Sequence, residues 1–375
     1  MDKVFYRKLD SYEDSEAVVE TIASLLDNCG MDRDFSGKTV LIKPNMLRRC
    51  KPQDAITTDP SVVRAVLAYF SRHGAGKLIV YDSPGGVNTA EMTLASYRAC
   101  GFSGPAEEFG AELSTDIDST DAVLENGSSV PVSNVILSAD VVINVCKLKT
   151  HAMAGLSAAA KNMFGAVPGT VKAETHLRFP DRDRFCTEIC LLAKRIAPEV
   201  SICDAVVGME GDGPAAGTPR KYGFLAASRD PFLLDRVLAY AIGMKPEEAR
   251  TVESSISLGF APEDVNDIDI EGDEIVPLKD VKRAKSASFN LADDVPGIFR
   301  PVVKLVFSCV TSRPAIGKNC VGCGRCAQSC PRKAITISDG RASIDYSKCI
   351  KCFCCHELCP QKAVYIKRGF LRKLK

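Results

Sequence analysis

Residues 39–86 read TVLIKPNMLRRCKPQDAITTDPSVVRAVLAYFSRHGAGKLIVYDSPGG, and this stretch decides the fold. Its ends, Thr39–Ile42 and Leu78–Tyr81, are short apolar runs rich in β-branched residues, the mark of buried strands. Between them Asp59 suits a helix N-cap and Pro60 a first helical turn; VVRAVLAYFSRHG then repeats apolar residues at helical spacing and stops at Gly74. Strand, helix and strand in that order make the crossover unit of a parallel sheet. Working outward, Val141–Val145 and Ser201–Val206 read as further strands, and Asp230-Pro231 opens FLLDRVLAYAIG in the same style before Gly243, predicting a second such unit. Residues 1–285 are thus expected to form an α/β domain with a mostly parallel sheet flanked by helices.

The end of the chain has another chemistry. Nine of the 17 cysteines lie between Cys320 and Cys359. Cys320, Cys323, Cys326 and Cys330 precede Pro331, and Cys349, Cys352, Cys355 and Cys359 precede Pro360, so one spacing occurs twice. This is the bacterial ferredoxin run, in which the fourth cysteine ligates the other cluster. Two 4Fe–4S clusters are expected, one on Cys320, Cys323, Cys326 and Cys359, the other on Cys349, Cys352, Cys355 and Cys330. Cys354 reads as a non-ligand. Paired zinc knuckles are the alternative, but zinc ribbons pair two CxxC units without the third cysteine or the cysteine-proline ending. AITI after Pro331 and AVYI after Pro360 predict a short strand in each half, and residues 319–367 a small α+β ferredoxin-like domain. Residues 286–318, with the apolar stretch GIFRPVVKLVFSCV, are expected to be a connector that helps dock this domain, and 368–375 a basic tail.

The chain's 375 residues are 46% hydrophobic and 25% charged, the range of a globular protein with more than one core. Its net charge of +1 gives no reason to expect nucleic acid as a partner. Residues 319–375 carry twelve basic side chains against three acidic, a net +9 that leaves −8 for the rest. A basic electron-transfer module should dock on something acidic, its own large domain or a redox partner protein. No apolar run reaches the roughly 18 residues of a membrane span, and the N-terminus lacks an apolar signal core. The sequence therefore predicts a cytoplasmic protein without membrane association, whose cysteines serve redox chemistry and not disulfides.

Polar groups stand where the strands are expected to end, which is where open α/β sheets bind ligands. Lys43-Pro44-Asn45 follows the first strand, Asp82-Ser83-Pro84-Gly85-Gly86 the second, Lys147-Leu148-Lys149-Thr150-His151 the third and Cys203-Asp204 the fourth. Lys161 and Asn162 precede a Gly-rich turn, and Glu210-Gly211-Asp212 forms an acidic loop. Lysines, asparagines and a histidine so placed point to a small anionic ligand, a carboxylate or phosphate. Asp82, Asp204, Glu210 and Asp212 could instead hold a divalent cation or handle a proton. The expected catalytic groups are Lys147, Lys149, His151 and Asp212; Lys43, Asn45, Asp82, Lys161, Asn162 and Glu210 are expected to bind a second ligand or metal. His176 has little context, and Cys186 and Cys190 read as small buried hydrophobes. No GxGxxG follows a strand and no Walker or GxSxG motif occurs, so dinucleotide, NTPase and hydrolase chemistry lack support.

LIKPNM, ITTDPSVVRAVLAYF, IVYDSPGG, VVINVCKLKTH, AAAKNMFG and EGDGP together resemble the domain of unknown function family 362, over roughly residues 38–240. The resemblance implies that domain joined to a ferredoxin-type module, and that the ten site residues just named define its site. It carries no catalytic role. Three functions compete: an iron–sulfur oxidoreductase feeding electrons to a ligand in the large domain, an electron carrier or adaptor subunit, and a redox-sensing or maturation protein.

Overall fold

A computed structural model describes residues 2–285 and 312–367. Most of the expected connector, from 286 to 311, and the tail 368–375 lie outside the described residues.

In chain order the strands are β1 (Val4–Lys8), β2 (Thr39–Pro44), β3 (Lys77–Val80), β4 (Glu112–Leu113), the separate hairpin β5 (Ser119–Val123) and β6 (Ser129–Ser133), β7 (Val141–His151), β8 (Gly155–Ser157), β9 (Val200–Glu210), β10 (Thr218–Ser228) and β11 (Ile270–Gly272). Nine of them build one sheet in the order β11-β1-β10-β9-β7-β2-β3-β4, with β8 on β7. Pairing is parallel from β9 through β7, β2 and β3 to β4, and between β1 and β11; β10 runs antiparallel to both its neighbours. The sheet is mostly parallel, and its parallel half brings the carboxyl ends of β2, β3 and β7 together.

Helix Pro60–Arg72 forms as the sequence predicts. The Asp59 carboxylate accepts from the Ser61 amide, and Val62, Val63, Val66, Leu67 and Phe70 are buried against the sheet. Each such side chain contributes about 1.5–3 kcal/mol of burial. Helices Ser15–Asn28 and Pro60–Arg72 cover one face; Arg182–Ile196 and Pro231–Ala241 cover the other. The second expected crossover is corrected: helix Pro231–Ala241 follows β10, which is antiparallel to β9, so no parallel unit closes there.

Two strands also outrun their expected ends. β7 continues through Lys147, Lys149 and His151 because β8 turns back and pairs with residues 149–151. β9 runs to Glu210, so Asp204 sits mid-strand, and its register against β7 slips between the Lys147–Asp204 and Lys149–Met209 pairs.

The small module has strands β12 (Arg313–Ile316), β13 (Ile335–Ser338), β14 (Arg341–Ile344) and β15 (Val364–Lys367), paired β12 with β15 and β13 with β14. It packs on the large domain. Phe353 is fully buried against Ala152, and the loop at Gly85 lies so close to Leu358 that a Cβ there would stand 2.9 Å from its side chain.

Candidate functional site

Between the carboxyl ends of β2, β3 and β7 and the small module lies a cleft with about 870 Å³ of space, part of it open solvent. That is ample for a small molecule. The large domain supplies Asn45, Ser83, Lys149, His151, Lys161 and Lys172 among its walls, and the small module supplies Cys354, Glu357 and Leu358.

Three lysines face this space. Lys149 Nζ donates to Asn45 Oδ1 at 2.5 Å and to the Ile56 carbonyl at 2.7 Å. Lys172 Nζ donates to the Ser83 carbonyl. Lys161 lies with its ammonium 5.2 Å from the centre of the Phe164 ring and makes no ion pair among the described residues. Burial strips water from the ammonium groups of Lys149 and Lys172 and pushes each down to about 7. Opposite them, burial raises the Glu357 carboxyl while Lys161, Lys149 and Lys172 draw it back.

His151 Nδ1 accepts from the amides of Met153 and Ala154 at 3.0 and 3.1 Å, which leaves the proton on Nε2, 3.4 Å from Glu357 Oε1. Burial, then Lys161 and Lys149, hold this imidazole well below its usual range, so it is neutral. His176 stacks on Phe185 at 4.3 Å, its buried Nδ1 has no hydrogen-bond partner, and burial pushes it down to about 3.

Other expected site residues have structural work. Lys43, fully buried, donates to Asp82 Oδ1 at 2.8 Å, and Asp82 also accepts from the Met46 and Ser83 amides. Asn45 donates to Asn162 at 2.8 Å and Asn162 to Asn144 at 2.8 Å, a chain that fixes the floor beneath Lys149. Lys43→Met would leave Asp82 buried without its cation. We expect a loss of about 3 kcal/mol, seen as a lower urea midpoint, because the two amides compensate only part of the carboxylate's desolvation.

Three expected site residues stand away from the cleft. Lys147 points to the opposite side of the network, donating to Asp204 at 2.8 Å and Tyr12 at 2.9 Å; Asp204 in turn accepts from the Asp59 amide at the start of helix Pro60–Arg72. Glu210 accepts from Arg220 at 2.9 Å and from the Lys282 amide, and Asp212 holds Lys285 at 2.9 Å. Each carboxylate offered for a divalent cation is thus paired with a cation of the chain. Among the described residues no three His, Cys, Asp or Glu side chains converge on a single ion.

A cubane is larger than an ion, and its thiolates surround a cavity. Two such cavities exist in the small module. One is lined by Cys320, Cys323, Cys326 and Cys359, the other by Cys330, Cys349, Cys352 and Cys355, the crossed sets the spacing predicts. The halves repeat in detail. The Ala334 amide donates to Cys330 Sγ and the Ala363 amide to Cys359 Sγ, both at 3.2 Å. Gly322 and Gly324 take positive φ in the first loop, and Lys351 and Phe353 hold the same left-handed conformation in the second. Cys354 lines both the second cavity and the cleft, so one wall separates them.

Sequence reasoning missed Lys172, His176 and Glu357. Lys172 and His176 are four apart on helix Gly169–Arg178, one face of a helix that opens on the noted Gly-rich turn. Glu357 is the only acid between Cys349 and Cys359. Those signals were available.

Residues 40–240 match the family model for a domain of unknown function (DUF362), and residues 315–360 that of a 4Fe–4S dicluster domain. The first match spans more than half of the chain, which belongs to the DUF362 family. A thylakoid-associated protein of Synechocystis sp. is 36% identical over 261 residues, 67% of this chain and 78% of that protein. The lactate racemase apoprotein of Thermoanaerobacterium thermosaccharolyticum is similar at a TM-score of 0.41 and 14% identity, over 64% of this chain and 57% of that one. No helix among the described residues is long and apolar enough to cross a membrane.

Proposed function

We propose that this DUF362 protein is an iron–sulfur oxidoreductase in which two 4Fe–4S clusters exchange electrons with an anionic ligand, substrate or second cofactor, held in the cleft. The observation that carries this reading is the shared wall: Cys354 borders both the second cysteine cavity and the lysine-lined cleft. When bound, the clusters supply one-electron storage and transfer. The chain's own residues do the rest. The eight cysteines hold the clusters, and Lys149, Lys161 and Lys172 attract and orient the anion. His151 Nε2 and Glu357 stand together as the groups able to hold or pass a proton at the ligand.

The first cavity shares no lining residue with the cleft and is bordered by the exposed Cys323 and by Val321, which is 60% exposed. Electrons are taken to pass there to or from a redox partner protein, attracted by the module's basic surface. A cytoplasmic location belongs to this proposal. Native mass spectrometry of the protein purified without oxygen tests the cleft's role. A bound mass beyond the clusters, lost in Lys149→Ala with iron retained, is expected; an extra mass that survives this change would place the ligand elsewhere.

Affinity for an anion should fall as pH rises. The charged and titratable groups that act on Lys149 are Cys50, Lys161, Glu357 and the more distant Lys147, and those that act on Lys172 are Asp82, Lys43, Lys161 and Glu357. Both lysines are about half protonated near pH 7 in the free protein, and a bound anion favours the charged form. Binding is therefore strongest below their pKa and takes up protons above it. Between about pH 6 and about pH 9 the affinity should drop at least about tenfold, read by calorimetry in buffers of different ionisation heat.

A further inference from the structure

The cleft's charges are unbalanced. Among the described residues, three ammonium groups, on Lys149, Lys161 and Lys172, line the cleft with one carboxylate not already paired to a lysine, that of Glu357. With the lysines charged, positive charge exceeds negative by at least two whichever form Glu357 takes, in a partly enclosed space, which is costly until anions compensate it. Asp82 does not supply the balance, because Lys43 already occupies it.

Two of the three cations are anchored beyond different strands. Lys149 is tied to the Ile56 carbonyl beyond β2, and Lys172 to the Ser83 carbonyl beyond β3. Lys161 and Glu357 line the same cleft and act electrostatically on both. The buried, unpartnered Nδ1 of His176 also lines the cleft, beside the aromatic wall of Phe164.

We propose that the cleft binds a small dicarboxylate, one anionic group between Lys149 and Lys161 and the other between Lys161 and Lys172, with His176 serving a polar substituent between them. This deepens the reading above and rests on it. A monocarboxylate can satisfy only one lysine pair, and a phosphate only one end of the row.

Calorimetry on the cluster-loaded protein, without oxygen, with acetate, malonate, succinate, glutarate and inorganic phosphate tests this. At least one dicarboxylate should bind about tenfold or more tighter than acetate and phosphate, the gain expected from a second charge-assisted contact. Lys172→Met should reduce that preference to within about twofold while iron content stays the same. Lys161→Met, at a partly exposed position without an ion pair, provides a second variant should Lys172→Met not fold; it should weaken every carboxylate.

Equal affinity for acetate and all dicarboxylates, preference for phosphate, or no binding at all would overturn the ligand assignment. Electron paramagnetic resonance of the reduced protein separates this failure from that of the functional reading. Phosphate binding that perturbs a cluster signal would overturn the dicarboxylate and keep the redox cleft. Selective dicarboxylate binding that perturbs neither cluster would keep the ligand class and overturn the redox reading.

Discussion

Lys161→Met is expected to lower anion affinity in the cleft by about a hundredfold and to abolish any turnover that depends on that anion, with iron content and cluster absorption unchanged. The size of the effect follows from position. Lys149 and Lys172 spend hydrogen bonds on backbone carbonyls, whereas Lys161 lies against the Phe164 and Phe185 rings, makes no ion pair among the described residues and keeps its ammonium for the ligand. It also acts electrostatically on His151, Lys149, Lys172 and Glu357, so its charge reaches every ionisable group proposed to act in the cleft. Loss of iron together with binding would instead mark Lys161 as part of the scaffold.

A second large effect should come from Cys359→Ser. Cys359 sits in the second motif but lines the cavity of Cys320, Cys323 and Cys326. Its replacement should cost the first cluster and spare the second, so that iron falls from about eight to about four per chain. Cys330→Ser should do the converse, removing the cluster next to the cleft. The pair also separates the electron path. Without the outer cluster, electron exchange with a partner protein should fail while a small chemical reductant still reaches the inner one. Loss of the second cluster in Cys359→Ser would reverse the crossed ligation.

Much of this was legible in sequence because it is local. A cap, a proline and a helical repeat predicted Pro60–Arg72, and cysteine spacing predicted the two sets of four that line the two cavities. The division of labour among the lysines was not legible. Lys147 and Lys149 are two apart on one strand and look alike. Yet regular pairing with β9 sets Asp204 beside Lys147, while the register slip that follows and the pairing with β8 leave Lys149 opening on the cleft. Long-range pairing decides that, and no local pattern encodes it. Glu210 and Asp212 look like ligands in an acidic Gly-rich loop, but Arg220, Lys282 and Lys285 arrive from distant positions and claim them. Glu357 belongs to the cleft only because the small module docks there, through Phe353 and through Leu358 against Gly85.

The central claim is that the anion in the cleft lies beside the second cluster. Electron–nuclear double resonance on the dithionite-reduced, cluster-loaded protein with 13C-labelled succinate, or labelled malonate if that binds tighter, measures this directly. The account predicts a 13C coupling to the inner cluster that persists in Cys359→Ser and disappears in Lys161→Met. Binding of the labelled anion with no coupling to either cluster would contradict it.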